Sequence, residues 1–237
     1  MKALIVAAGF GSRLRAVSPS TPLTPVAGTP LIARVIAAAR LGGATGFFVV
    51  TGHEGERLTA YLHDLDPAIV CVPTPDWSLA NGHSVLAGAA AIGPERHLLM
   101  MADHLFDPAL VAATIAAPRA ALTLAVDRRL DNPLVDLDDV TRVRTSGERI
   151  VAIGKHLTDY DAFDCGVFAV DGRFHDALRG SIEAGGTGSI SSGVEALAAT
   201  GNARVVDAGD TWWLDVDDPR ALAQAEAALA PLRAAMA

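Results

Sequence analysis

Lysine is nearly missing from this sequence: Lys2 and Lys155 are the only two among 237 residues. With 19 basic against 27 acidic side chains, the formal charge is −8. A surface that neutralises a phosphate backbone or an anionic membrane needs many cations, so neither a nucleic-acid partner nor membrane insertion is expected. A local pocket for a small anion remains compatible with that balance. Cysteine is scarce as well. Cys71 and Cys165 are too few for a disulfide framework and lack metal-ligand spacing, which predicts reduced core thiols and a cytoplasmic setting. No apolar run approaches the roughly 20 residues of a membrane span. The run Ala3 to Ala8 is short and leads straight into Gly9, Gly11, Arg13 and Arg15, so it reads as a buried strand and no targeting segment is expected. Also absent is any Ser/His/Asp or Cys/His arrangement that would signal a covalent nucleophile.

What is present is a globular chain, with 51% apolar and 19% charged residues. Short apolar runs at Ala3–Ala7, Gly46–Thr51, Ala68–Val72, His97–Ala102 and Ala121–Val126 read as strands. Between them lie helical patterns near Pro30–Leu41, Gly55–His63, Ser84–Ala91 and Pro108–Ala116. That alternation predicts an α/β, Rossmann-like, doubly wound and mainly parallel sheet. Thr29 is expected as the N-cap of the first helix, with Pro30 at its first position.

After Asp127 the rhythm changes. A hairpin is predicted from Arg142–Thr145 and Ile150–Gly154 around Ser146-Gly147, then a strand at Asp164–Val170. The segment Ser189–Thr200, a strand at Arg204–Asp207, Trp212–Asp217 and a helix from about Pro219 complete the chain. One domain, residues 1–237, is expected: a nucleotide-binding core over 1–126 and, over 127–237, a small β layer covering the acceptor side and completing a metal site. Ligands in open α/β sheets lie beyond the carboxyl ends of the strands.

The loop Ala7-Ala8-Gly9-Phe10-Gly11-Ser12-Arg13-Leu14 directly follows the first strand. Glycines admit a ligand close to the backbone, and free N–H groups beside an Arg suit phosphates. The dinucleotide fingerprint would need a third Gly where Leu14 stands, and the Walker ending is absent. Asp103 sits at the carboxyl end of its strand, where it is either a helix cap or a site residue. Asp215 and Asp217 are two residues apart, so in an extended strand they share a face and can converge on one cation. Their rival reading is that Asp217 or Asp218 caps the last helix. Three carboxylates with phosphate oxygens would suit octahedral Mg²⁺.

Leu4 to Leu14, followed by Pro22-Leu23-Thr24-Pro25-Val26-Ala27-Gly28-Thr29-Pro30-Leu31, resembles the N-terminal signature of nucleotidyltransferases that activate sugars and alcohols. Adding Asn81-Gly82-His83-Ser84, Met101 to Phe106, Ile153 to Leu157, Asp161, Asp164 to Phe168 and the Trp-rich Asp215/Asp217 end, the whole chain is similar to the cytidylyltransferases that act on inositol 1-phosphate. The resemblance implies transfer of a nucleoside monophosphate from a triphosphate, CTP favoured, onto a small phosphorylated alcohol or phosphonate, with Mg²⁺. It implies that Ala7, Ala8, Gly9, Gly11, Ser12 and Arg13 hold the triphosphate, and that Thr51, Gly52, Asn81, Gly82 and Ser84 form the base and ribose wall. Asp103, Asp215 and Asp217 would be the metal ligands. His104, Lys155 and Asp164 would face the acceptor, with Arg13 and Lys155 as catalytic cations.

In one place the pattern departs. The family keeps a Lys before its Pro-Leu and often another after the Gly, where this chain has Thr21 and Thr29. Losing a cation beside a transferring phosphoryl group costs roughly two to three orders of magnitude in rate. Another cation must substitute, or activity falls. The rivals are a non-catalytic nucleotide- or sugar-phosphate-binding protein and, more distantly, a Rossmann oxidoreductase.

Overall fold

The structure, a computed structural model, describes residues 1–15 and 17–235, without the side chains of 231–235. In chain order the elements are β1 (Lys2–Ala7), β2 (Pro25–Val26), β3 (Thr29–Pro30), α1 (Leu31–Leu41), β4 (Gly46–Thr51), α2 (Gly55–Leu65), β5 (Val70–Pro73), α3 (Asn81–Ile92), β6 (His97–Met101), β7 (His104–Phe106), α4 (Pro108–Ala116) and β8 (Leu122–Asp127). There follow β9 (Arg142–Ser146), β10 (Arg149–Gly154), β11 (Ala162–Val170), α5 (Gly172–Glu183), α6 (Ile190–Ala198), β12 (Ala203–Asp207), β13 (Trp213–Asp215) and α7 (Pro219–Ala235).

One nine-stranded sheet, in the order β5-β4-β1-β6-β11-β8-β12-β10-β9, runs through the molecule. β11 and β10 alone run against the other seven strands, so the expected mainly parallel character holds. The β9–β10 hairpin, expected as a covering layer, is hydrogen-bonded onto this sheet as its far end, and β9 also pairs with the start of β11.

After the exposed Lys2, strand β1 is apolar from Ala3 to Ala7 because both its faces are covered. Ala3, Ile5 and Ala7 point into a core shared with α1, α2, α4 and α7; Leu4, Val6 and Ala8 point into a second core shared with α3, α5 and α6. Helix α1 shows how the sequence produces this. Leu31, Ile32, Val35, Ile36 and Ala39 recur at helical spacing and are buried, and each fully buried Leu or Ile contributes about 2 kcal/mol.

The start of α1 differs from expectation. Pro30 is the N-cap and Thr29 makes no cap. Thr29 and Pro30 instead pair with Val26 and Pro25 across a tight turn in which Ala27 (φ 46°) and Gly28 (φ 78°) are both left-handed, as a type I′ hairpin requires. Cap chemistry at Thr29 yields to hairpin pairing.

Candidate active site

The middle of the chain and its C-terminal part are brought together by a small sheet at the carboxyl edge of the large one. β13 pairs antiparallel with β7, setting Asp215 opposite His104, Leu214 opposite Leu105 and Trp213 opposite Phe106. The amide of Val216 then donates to the carbonyl of Asp103, 2.9 Å away. This ladder carries Asp215 and Asp217, more than 100 residues downstream, to the end of β6. Asp127 holds it from beneath. Fully buried, Asp127 accepts from Trp213 Nε1, Arg129 and Asn132 at 2.8 to 2.9 Å. These donors outweigh the burial that opposes its charge and keep the carboxyl below its ordinary range.

Two cavities meet at this edge. One, about 270 Å³, is lined by the glycine loop (Gly9, Gly11, Ser12, Arg13), Thr21, Asp103 and Asp217. The other, about 250 Å³, is lined by Asn81, His104, Asp139, Lys155, Asp164 and Asp215 among others. Arg13, Asp103 and Asp217 belong to both. In the first, Gly11 is left-handed (φ 58°), and a Cβ there would lie 1.8 Å from Thr21 Oγ1. Thr21 is thus pressed against the loop, 8% exposed, with its hydroxyl lacking a hydrogen-bond partner among the described residues.

His104 organises the carboxylates. Its Nδ1 lies 2.9 Å from Asp103 Oδ1 and 3.7 Å from Asp215 Oδ1, and its ring stacks on Trp213. Burial disfavours its charge, but Asp215 and Asp103 outweigh burial and push its pKa up to about 10. The ring fits because Gly166, left-handed at φ 73° within a bulge of β11, has no Cβ; one would stand 2.4 Å from the imidazole. Burial raises Asp215 to about 7, against the pull of His104 and with the push of Asp103 and Asp217. Asp217 rises to about 6 through burial, tempered by its ion pair with Arg13. Asp164, whose Oδ1 accepts from the Gly166 amide at 2.7 Å, is likewise raised to about 6 by burial. Three half-buried carboxylates in so small a space favour protons unless a cation is supplied.

These residues fit a hard divalent cation. One ligand atom each from Asp103, His104 and Asp215 lie within 4.8 Å of one another, and the same holds for Asp139, Asp215 and Asp217. Asp215 joins the two groups, and its buried Oδ1 has no hydrogen-bond partner. Such an orphaned oxygen among oxygen donors suits Mg²⁺. The capping alternatives resolve locally: Asp218 accepts from Ala221 N at the start of α7, and Asp107 from Ala109 N at the start of α4, leaving Asp217 and Asp103 to the cleft.

Of the expected base-side residues, Asn81 reaches the second cavity, where its Oδ1 accepts from Ile190 N at 2.8 Å. Thr51 and Ser84 are buried, Gly82 packs against the Gly188 carbonyl, and Gly52 against the Ala8 carbonyl and Trp77. The structure does not bring these four together with the cavity lining. Sequence reasoning missed Asp139, which accepts from both Arg13 and Lys155. Its signal was the acidic stretch Asp136-Leu137-Asp138-Asp139, which reads as ordinary solvated loop. It also missed the aromatic group beside the loop, in which Phe10 stacks on Trp77 (5.8 Å, 8°) and His53 meets both edge-on.

A mixed α/β sheet with a glycine loop and clustered carboxylates at its carboxyl edge defines a nucleotide-handling enzyme fold. The profile of the MobA-like NTP transferase domain matches residues 3–146, and the chain belongs to that family. A "Bifunctional IPC transferase and DIPP synthase" of Rubrobacter xylanophilus is 35% identical over 229 residues, covering 94% of this chain and 51% of that protein. A "CMP-5'-(3-aminopropyl)phosphonate synthase" of Streptomyces rubellomurinus is 32% identical, covering 98% of this chain and 39% of that protein. The chain spans about half the length, or less, of these curated relatives. The inositol-1-phosphate CTP transferase from T. maritima shares the fold, with TM-score 0.84 at 24% identity over 93% of this chain and 90% of that one. No helix among the described residues is long and apolar enough to cross a membrane.

Proposed function

We propose that this chain is a cytidylyltransferase that moves CMP from CTP onto a small phosphorylated alcohol, such as inositol 1-phosphate, a sugar 1-phosphate or a phosphonate, releasing pyrophosphate. The observation that carries the reading is the meeting of two cavities at Arg13, Asp103 and Asp217. A triphosphate lying along the glycine loop would present its α-phosphorus at that junction to an acceptor held beside Lys155, Asp164 and His104. The activities for which the relatives are named support CTP and a phosphorylated or phosphonate alcohol as the pair.

Asp103, Asp215 and Asp217 would hold Mg²⁺, which supplies charge neutralisation and orientation of the phosphates when bound. The chain's own residues do the rest. Backbone N–H groups of Ala7 to Ser12 cradle the phosphates and Arg13 spans the junction. His104, fixed on Trp213, lies against both Asp103 and Asp215 and orients them. Asn81 marks the nucleoside end of the cavity that also holds His104 and Asp164. An acceptor phosphate is largely ionised near pH 7, its second pKa being about 6, so in-line attack requires no general base. Positioning and charge suffice. Cys165, buried and with its thiol pushed well up by burial, is inert packing, which fits a reduced, cytoplasmic protein.

The test is a pyrophosphate-release screen of CTP, UTP, GTP and ATP against inositol, sugar, choline-type and phosphonate acceptors. CTP with a polyol phosphate or phosphonate is expected to give the highest kcat/KM. Preference for another base would overturn the cytidylyl assignment.

A further inference from the structure

Asp139 lies in the segment between β8 and β9, and its two carboxylate oxygens hold different parts of the cleft. Oδ2 accepts from Arg13 Nη2 of the glycine loop at 2.8 Å, and Oδ1 accepts from Lys155 Nζ just after β10. Burial works against its charge, but Lys155 and Arg13 outweigh it and keep the carboxyl down at about 2. Arg13 belongs to both cavities, whereas Lys155 lines only the one that also holds His104 and Asp164. Lys155 and Arg13 would repel each other without an anion between them. The Lys155 side chain is 48% exposed on a flexible stem, and an unheld lysine spends its time in solvent.

We propose that Asp139 is a positioning residue that bridges Arg13 and Lys155, drawing Lys155 to the junction of the two cavities so that it serves the phosphoryl charge that Thr21 cannot. This rests on the transferase reading for its catalytic consequence, though the bridge itself does not. Asp139 acts through the lysine. The missing loop cation is thereby replaced from the opposite wall of the cleft, by a residue 134 positions further along the chain.

The near absence of lysine supplies the test. With only Lys2 and Lys155 in the chain, acetylation by an activated ester followed by peptide mass spectrometry reads Lys155 against Lys2 as an internal standard. In Asp139→Asn the Lys155:Lys2 rate ratio is expected to rise about fivefold, the size of one well-formed exposed ion pair, while Asp139→Glu keeps the wild-type ratio. Asp139→Ser serves equally should the Asn variant fold poorly. An unchanged ratio overturns the bridge. In turnover, Asp139→Asn should lower kcat about tenfold with the CTP KM within about threefold, and the Asp139→Asn/Lys155→Ala double variant should be no slower than Lys155→Ala alone. Additive losses would instead mean that Asp139 acts on a bound cation or on the fold, independently of Lys155, and would overturn the proposal. Were wild type to release no pyrophosphate with any triphosphate, the transferase reading would fail while the acetylation ratio still decided the bridge.

Discussion

The two walls of the cleft are built differently. The glycine-loop wall is a continuous stretch of sequence in which backbone and neutral groups predominate, with Arg13 its one cavity-lining cation among the described residues and Thr21 buried against the loop. The opposite wall is assembled from β6, β7, β11, β13 and the segment before β9, and it concentrates charge: Asp103, Asp139, Asp164, Asp215 and Lys155. One wall offers shape and the other offers charge. A local motif suffices for the first, whereas the second exists only after the sheet has formed.

The largest expected effect lies where the walls meet. Asp103→Ala or Asp217→Ala should lower Mg²⁺-dependent pyrophosphate release by about a thousandfold or more, with the circular-dichroism spectrum unchanged. Wild-type turnover in both would remove the carboxylates from the chemistry. Next comes the support of the charged wall. Asp127→Asn leaves buried or half-buried donors of Trp213, Arg129 and Asn132 mismatched and should cost about 3 kcal/mol in urea unfolding. Thr21→Val probes the neutral wall, and a wild-type result there would leave it with shape alone.

His175 contrasts with both walls, being a buried titratable group with no part in the cleft. Burial, then the nearby His97, then Arg179 lower its pKa to about 4 from an unfolded value near 6.5. Between those values the unfolded chain binds the proton more readily, so stability is full above about pH 6.5 and is lost as pH falls towards 4. The expected loss is on the order of 2 kcal/mol by pH 4.5, and His175→Gln should flatten it in thermal unfolding scans. An equal pH slope in the variant would place the effect elsewhere. The smallest effect is that of Thr21→Val. It removes a buried hydroxyl that has no partner among the described residues, so stability should hold while the CTP KM rises about threefold, the loss of one neutral hydrogen bond.

The same contrast explains what could be read in advance. The large-sheet strands of the first half were legible because each is an apolar run bounded by turns, and the loop after β1 because its motif is contiguous. Asp215 and Asp217 were legible from their spacing, although the strand ends at Asp215 and the pairing of β13 with β7 that delivers them was not. Helix α5 went unassigned because its mixed stretch Gly172–Glu183 buries only Phe174, His175 and Leu178. Asp139 looked like solvated loop because its partners lie 126 residues upstream and 16 downstream. Thr29 resembled a cap because pairing with Val26 is invisible to a rule about helix starts.

The central claim is that the junction of the two walls performs chemistry and does not merely bind a nucleotide. Phosphorus-31 NMR of the wild-type protein with CTP, inositol 1-phosphate and Mg²⁺ tests it directly. The expected result is the joint appearance of pyrophosphate and of a diphosphate diester as CTP is consumed. CTP resonances that broaden on binding yet persist unconverted, with this and every other phosphorylated or phosphonate acceptor, would contradict it and identify a nucleotide-binding protein instead.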